Sequence, residues 1–271
     1  MQTKTPEILG IIAGNGIYPQ LVADSARKAG VKKLVAASFS DETNPAIAQR
    51  VDVVEWLRVG QLSRLLSFFR EQNVRHAIMA GQIAPKNLFD LRPDWRALLL
   101  LARLKQRNAE SIFSAIADEL AKVDVDLLPA TTFLESYLAP RGLIAGSKLS
   151  RREEEDVELG WNIAKQIAEL NIGQTVVVKS GTVLAVEGLD GTNETITRGG
   201  KLARKRAVVI KVAKPNQDMR FDVPVIGVET IRAAADAKVR VIALEADRTL
   251  LLEKERLLDM ATRSKISILA R

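Results

Sequence analysis

The chain has 271 residues, 47% hydrophobic and 27% charged, which suits one large or two medium domains with real cores. It has no cysteine and a single histidine, His76, which excludes disulfides, thiol chemistry, a histidine-based triad and a multi-histidine metal centre. The net charge of +7 favours anionic partners, but only residues 198–206 (RGGKLARKR) form a basic cluster, and with no RNA-recognition or zinc-finger signature the expectation is no nucleic acid.

No basic region precedes the first apolar run, so no signal peptide is expected. The most lipid-like run, 97–104, is broken by Arg103 and too short to span a bilayer, which makes a soluble cytoplasmic protein the default. Residues 8–13 (ILGIIA) read as a buried strand turned by Gly14-Asn15-Gly16. The spacing predicts a helix over 17–29, with Pro19 in its first turn, where a missing N–H costs nothing, and Gly30 as its cap. Strands are expected at 33–37, 53–57 and 77–80, the last ending on Gly81-Gln82, with a helix at 62–72. This alternation implies parallel βαβ units.

The Gly14–Gly16 turn resembles a phosphate-binding turn, in which glycines admit a close backbone approach and the helix N-terminus offers free N–H groups. Read as GxGxxG it fails, because Pro19 takes the place of the last glycine. A tight turn needing positive φ would use the same residues. Residues 93–122 become amphipathic and helical, with Trp95, Leu98, Leu99, Ala102 and Leu104 at helical spacing. They read as helices packed on a sheet, or as a seat for a lipid chain or a dimer partner, and leave the oligomeric state open. A short strand at 125–128 closes the first half.

Residues 129–149 contain Pro129, Pro140, Gly142 and Gly146 without clean periodicity and mark a joint. Ser150-Arg151-Arg152-Glu153 is a capping box opening a helix. Strands at 176–178 and 183–186 form a hairpin. Glu187-Gly188-Leu189-Asp190-Gly191-Thr192 follows, where Glu187 and Asp190 are hard oxygen ligands suited to Mg²⁺ and Thr192 suits the start of a helix. The last constellation is 208–227 (VVIKVAKPNQDMRFDVPVIG). A β-branched strand is stopped at Pro215, and a loop places Lys214, Asp218, Arg220 and Asp222 just past a strand end, where open α/β sheets bind ligands. A solvated surface loop is the alternative. A helix at 227–237, a strand at 239–243, a helix at 250–262 and a strand at 266–269 complete a mixed α/β unit.

Five blocks in this order resemble the LpxI family, the UDP-2,3-diacylglucosamine pyrophosphatases of lipid A synthesis. They are GIIAGNG at 10–16 with Pro19, AGQ at 80–82, LPAT at 128–131, VEGLDGT at 186–192 and KPNQDMRFDVPVIG at 214–227, so the resemblance covers nearly the whole chain. It implies an α/β fold with an N-terminal Rossmann-like parallel-sheet domain and a C-terminal catalytic domain, the substrate held between them. The boundaries expected from the residues are 1–130, a joint over 131–149, and 150–271.

The resemblance also implies Mg²⁺-dependent hydrolysis of the pyrophosphate to UMP and 2,3-diacylglucosamine 1-phosphate, the essential aspartate falling on Asp222, with Asp218 the alternative. Asp222 then holds Mg²⁺ or orients water, with Glu187 and Asp190 as further metal ligands, and Lys214 and Arg220 neutralise phosphate oxygens. Gly14, Asn15, Gly16, Gly81, Gln82 and Thr131 hold the UDP part, and Gly188 and Thr192 complete the substrate-binding set. The basic surface suits peripheral contact with the cytoplasmic face of the inner membrane. Two other functions could use the same scaffold. One is a regulatory protein that binds a nucleotide sugar without turnover. The other is a Rossmann-type oxidoreductase, which needs an acid at the end of the second strand, near Asp41 and Glu42, and which Pro19 weakens.

Overall fold

The computed structural model describes residues 5–83, 93–106 and 108–271. The chain forms two compact units: residues up to Glu135 together with Asp218–Asp222, and Ser136–Gln217 with Val223–Arg271.

The first unit runs β1 (Ile8–Ala13), α1 (Tyr18–Lys28), β2 (Lys33–Phe39), β3 (Val53–Leu57), α2 (Leu62–Glu71), β4 (His76–Ala80), α3 (Trp95–Arg103), α4 (Ala109–Ala121) and β5 (Asp126–Leu127). Its sheet has the order β3-β2-β1-β4-β5, every pair parallel. Both faces are covered, as a parallel sheet requires. Val35, Ala37, Ile12, Ala77 and Met79 pack one face against Leu65, Leu66 and Phe69 of α2 and Leu100 of α3. Alternate residues Leu34, Ala36, Leu9 and Ile11 are buried on the other face. With few aromatics available, branched aliphatic side chains and alanine do most of this packing. On α3, Ala97 and Leu100 face the core, while Trp95, Leu98 and Leu99 stay exposed.

The second unit runs β6 (Gly142–Ala145), α5 (Arg151–Glu169), β7 (Thr175–Lys179), β8 (Thr182–Val186), α6 (Thr192–Ala203), β9 (Val208–Lys211), β10 (Val225–Ile226), α7 (Val228–Asp236), β11 (Val241–Leu244), β12 (Leu250–Leu251), α8 (Lys254–Arg263) and β13 (Ser267–Ala270). Its main sheet, β6-β13-β11-β9-β7-β8, is mixed: β13, β11 and β9 run parallel, and the flanking strands antiparallel. The pleat again sorts the core. Val177, Val209, Ile242 and Ile268 pack with Ile196 of α6 and Ile231 of α7, and Val176, Val178, Val208, Ile210 and Val241 pack with Val157, Ala164 and Ile167 of α5. The expected capping box at Ser150 and Glu153 forms.

Two expectations change. The joint contains a strand, β6, recruited as an antiparallel edge on β13. The helix expected over 250–262 begins only at Lys254, because Leu250 and Leu251 pair in parallel with Val225 and Ile226. A two-residue buried strand cannot be told from a first helical turn by periodicity. Among the described residues no helix is long and apolar enough to cross a membrane.

Candidate functional site

In the first unit the strand order reverses direction between β1 and β4, the topological switch point. The turn Gly14–Gly16 leaves β1 there, and Gly81-Gln82 leaves β4. The two loops lie against each other. Gly14 N–H donates to the Ala80 carbonyl at 2.8 Å and Asn15 N–H to the Gln82 carbonyl at 2.7 Å. A Cβ on Gly14 would stand 2.6 Å from the Gln82 carbonyl oxygen, and one on Gly81, at φ +91°, 2.5 Å from that of Asn15. These two glycines therefore serve the loop crossing itself, while Gly16, at φ +87°, has no atom within 4 Å of where a Cβ would stand. Gly81→Ala is expected to cost about 2 kcal/mol or more, from clash plus left-handed strain, and Gly16→Ala only about 1 kcal/mol from strain. Urea denaturation of the two variants checks the contrast; equal costs would remove the crossing as the reason for Gly81.

Ala130 ties this edge to the segment from the second half. Its carbonyl accepts the buried Tyr18 hydroxyl at 2.7 Å, from the first turn of α1, and its N–H donates to the Met219 carbonyl at 2.7 Å. Burial pushes the Tyr18 phenol well above its ordinary range, so it remains a donor. Thr131 follows directly. Phe221 anchors the segment by packing on Phe113, ring centroids 5.9 Å apart, at the rim of the α2–α4 core. The segment makes one turn, Asp222 N–H donating to the Asp218 carbonyl at 2.9 Å. Asp218 is occupied: Arg220 Nε lies 3.0 Å from its Oδ1 and Nη2 2.7 Å from its Oδ2. These hydrogen bonds hold the Asp218 carboxyl below its usual range. The sequence could not separate Asp218 from Asp222; in the structure Asp218 orients Arg220, and Asp222 closes the turn.

In the second unit, Glu187 is 9% and Lys211 8% exposed. Lys211 Nζ donates to Thr192 Oγ1 at 2.7 Å, and that hydroxyl donates to Glu187 Oε1 at 2.8 Å. Glu187 Oε2 accepts the Gln174 N–H at 3.1 Å. Burial acts to raise the Glu187 pKa, but Lys211, Thr175, Thr192 and Gln174 outweigh it and hold the carboxyl low. Asp190 takes the Gly188 N–H at 2.9 Å and pairs with Arg198 at 2.7 Å. Both carboxylates expected as metal ligands thus serve the loop and the first turn of α6. Among the described residues no three histidine, aspartate or glutamate side chains are grouped to hold a metal ion.

Lys214 follows the end of β9, where the backbone is clamped by charge. Glu245 accepts the Ala213 N–H at 2.8 Å, Lys165 Nζ donates to the Ala213 carbonyl at 3.1 Å, and Arg248 donates to the Lys214 carbonyl at 3.3 Å. The sequence reading missed Lys165, Lys211, Glu245 and Arg248. Lys211 alone left a signal, a cation inside an apolar strand run. The other three act on a backbone distant from them in sequence.

A parallel unit with this strand order, a glycine turn at its switch point and a charged turn contributed by the chain's second half defines a two-unit α/β protein with a Rossmann-like first unit. The chain belongs to the LpxI family: residues 8–137 match the LpxI N-terminal domain and residues 140–269 the LpxI C-terminal domain. It is similar to the UDP-2,3-diacylglucosamine pyrophosphatase LpxI of Caulobacter vibrioides, 29% identical over 262 residues that cover 91% of each chain.

Proposed function

We propose that this protein is a hydrolase that cleaves the pyrophosphate of UDP-2,3-diacylglucosamine to UMP and 2,3-diacylglucosamine 1-phosphate, in lipid A biosynthesis. Family membership and the Caulobacter relative support the reaction class. The observation that carries the reading to residues is the seating of Asp218–Asp222 on the first unit through Ala130, whose carbonyl is held by Tyr18 beside the Gly14–Gly16 turn. That unit then binds the UDP part through Asn15, Gly16, Gln82 and Thr131, on loops whose crossing Gly14 and Gly81 permit, and supplies Arg220, pre-oriented by Asp218, and Asp222. Lys214, Gly188 and Thr192, expected from the sequence to act on substrate, belong to the second unit.

Cleaving a phosphoanhydride is chiefly positioning and charge neutralisation. Mg²⁺ is commonly held by one or two carboxylates plus substrate phosphate oxygens. Asp222 is assigned here as the carboxylate of that arrangement. The ion would polarise the phosphoryl oxygens when bound. Peripheral contact with the cytoplasmic face of the inner membrane belongs to the same proposal, since a diacylated substrate resides in a bilayer and the chain carries a net +7.

The test is UMP release from UDP-2,3-diacylglucosamine in detergent, with Mg²⁺ and with EDTA. Release with Mg²⁺ that EDTA suppresses is expected. Release unaffected by EDTA would remove the metal from the proposal. Binding without release at any Mg²⁺ concentration would favour the nucleotide-sugar regulator.

A further inference from the structure

Helix α3 is apolar on two opposite faces. Ala97 and Leu100 are buried in the core of the first unit. Trp95, Leu98 and Leu99 are 63%, 55% and 48% exposed. With Ala102, which is also exposed, they stand at i, i+3, i+4 and i+7, so they form one continuous stripe along the solvent side of the helix. The helix start is fixed without them. The Asp94 carboxylate accepts the Ala97 N–H at 2.9 Å and the Ser63 N–H at 2.6 Å. Single exposed leucines are ordinary, but a grouped apolar row marks a surface that meets something.

Charge decides what it meets. From Trp95 to Lys105 the chain carries Arg96, Arg103 and Lys105 and no carboxylate. Arg96 and Arg103 lie about 100° and 80° round the helix from Trp95, so both stand on one flank of the stripe. Arg96 is 5.6 Å from the Trp95 ring centroid and 3.9 Å from Glu119 of α4. Arg103 and Lys105 are exposed and make no ion pair among the described residues. The groove between α3 and α4 does not suit an acyl chain, since Asp118, Glu119 and Lys122 line it beside Arg103. A two-fold contact with a second copy would set the cationic flank against itself. An anionic bilayer surface satisfies both features: tryptophan sits at the headgroup level, leucine reaches the acyl boundary, and arginine and lysine meet lipid phosphates.

We propose that α3 is the element by which this protein docks on an anionic phospholipid surface, lying in the interface plane with Trp95, Leu98 and Leu99 toward the acyl boundary and Arg103 and Lys105 on the lipid phosphates. The inference rests on the pyrophosphatase reading, which puts a diacylated substrate in a bilayer, and it assigns the membrane contact of that reading to named residues. A surface helix of this kind adheres reversibly, and its hold weakens as salt screens the cationic flank.

Cosedimentation of the full chain with vesicles measures the docking without turnover. The native protein is expected to bind vesicles of phosphatidylethanolamine and phosphatidylglycerol about tenfold or more tightly than vesicles of phosphatidylcholine. Leu98→Glu, and Arg103→Ala combined with Lys105→Ala, should each weaken binding to the anionic vesicles by about tenfold or more. Both variants should unfold at the native temperature and release UMP from detergent-dispersed substrate at the native rate. Should Leu98→Glu unfold, the double variant carries the comparison. Equal binding to the two kinds of vesicle, or a folded variant that binds as the native protein does, would overturn the proposal. So would a native dimer that binds no vesicles and that Leu98→Glu dissociates in sedimentation velocity, which would give the stripe to a second copy. If UMP is released but vesicle binding is absent or unchanged by the variants, only the α3 assignment fails. If no UMP is released from any preparation, the pyrophosphatase reading fails, whereas vesicle binding lost in both variants would still assign α3 to the bilayer.

Discussion

Asp222→Ala is expected to cut UMP release by about 10²- to 10³-fold while the protein stays folded, the loss typical of removing one preorganised electrostatic contributor from a water-poor site. Folding should survive because the hydrogen bond that closes the turn comes from the Asp222 backbone, at 2.9 Å from the Asp218 carbonyl, and because Phe221 and Met219 anchor the segment on the first unit. Asp218→Ala should behave differently. It releases Arg220 from its two-point orientation, which weakens binding of an anionic substrate more than it changes the chemical step, so KM rises and kcat falls less. Steady-state kinetics on both variants, with circular dichroism as the check on folding, separates the roles. Native-like turnover in Asp222→Ala would move the essential carboxylate elsewhere, with Asp218 the next candidate.

Glu187→Ala is expected to destabilise the second unit by about 3–5 kcal/mol, because it leaves Lys211 buried without its counter-charge and strips Thr192 and the Gln174 N–H of their acceptor. Replacing both charges, Glu187→Leu with Lys211→Met, should recover much of the loss, since opposite buried charges, here linked through the Thr192 hydroxyl, are often no better than apolar residues of similar volume. The pH dependence has a definite sign. The folded Glu187 carboxyl titrates below its ordinary value of 4.5, so its contribution is complete above that value and disappears as pH falls through the lowered one. Asp218, held low by Arg220, follows the same sign from its ordinary value of 3.8. Urea midpoints of native protein and Glu187→Gln should therefore differ most near neutral pH and converge in acid. A gap that widens in acid would show that Glu187 is stabilised mainly in its neutral form.

Much of the fold could be read locally. The runs at 8–13, 53–57 and 77–80, the capping box at Ser150 and the hairpin around Ser180-Gly181 depend on side-chain period, caps and turn chemistry, which are properties of neighbours in sequence. The two short parallel strands β10 and β12 were not legible, because each is two residues long and acquires its identity only from a partner about 25 positions away. β6 was hidden in the same way, as its partner β13 closes the chain.

The candidate site divides along the same line. The residue types in the blocks at 14–16, 186–192 and 214–227 are legible in the sequence and carry the family resemblance. What each residue does was decided by tertiary contacts. The glycines at 14 and 81 turned out to admit another backbone, Glu187 and Asp190 to hold a loop and a helix start, and Asp218 to hold Arg220. The sequence alone thus determined an α/β chain, its parallel first half and its polar constellations, since period and composition act over a few residues. Only the tertiary structure assigned Asp218–Asp222 to the first unit and brought Glu42 to the glycine turn. Those placements depend on Phe221 finding the α2–α4 core and on Thr43 reaching the end of β1, contacts whose partners lie about 110 and 30 residues apart.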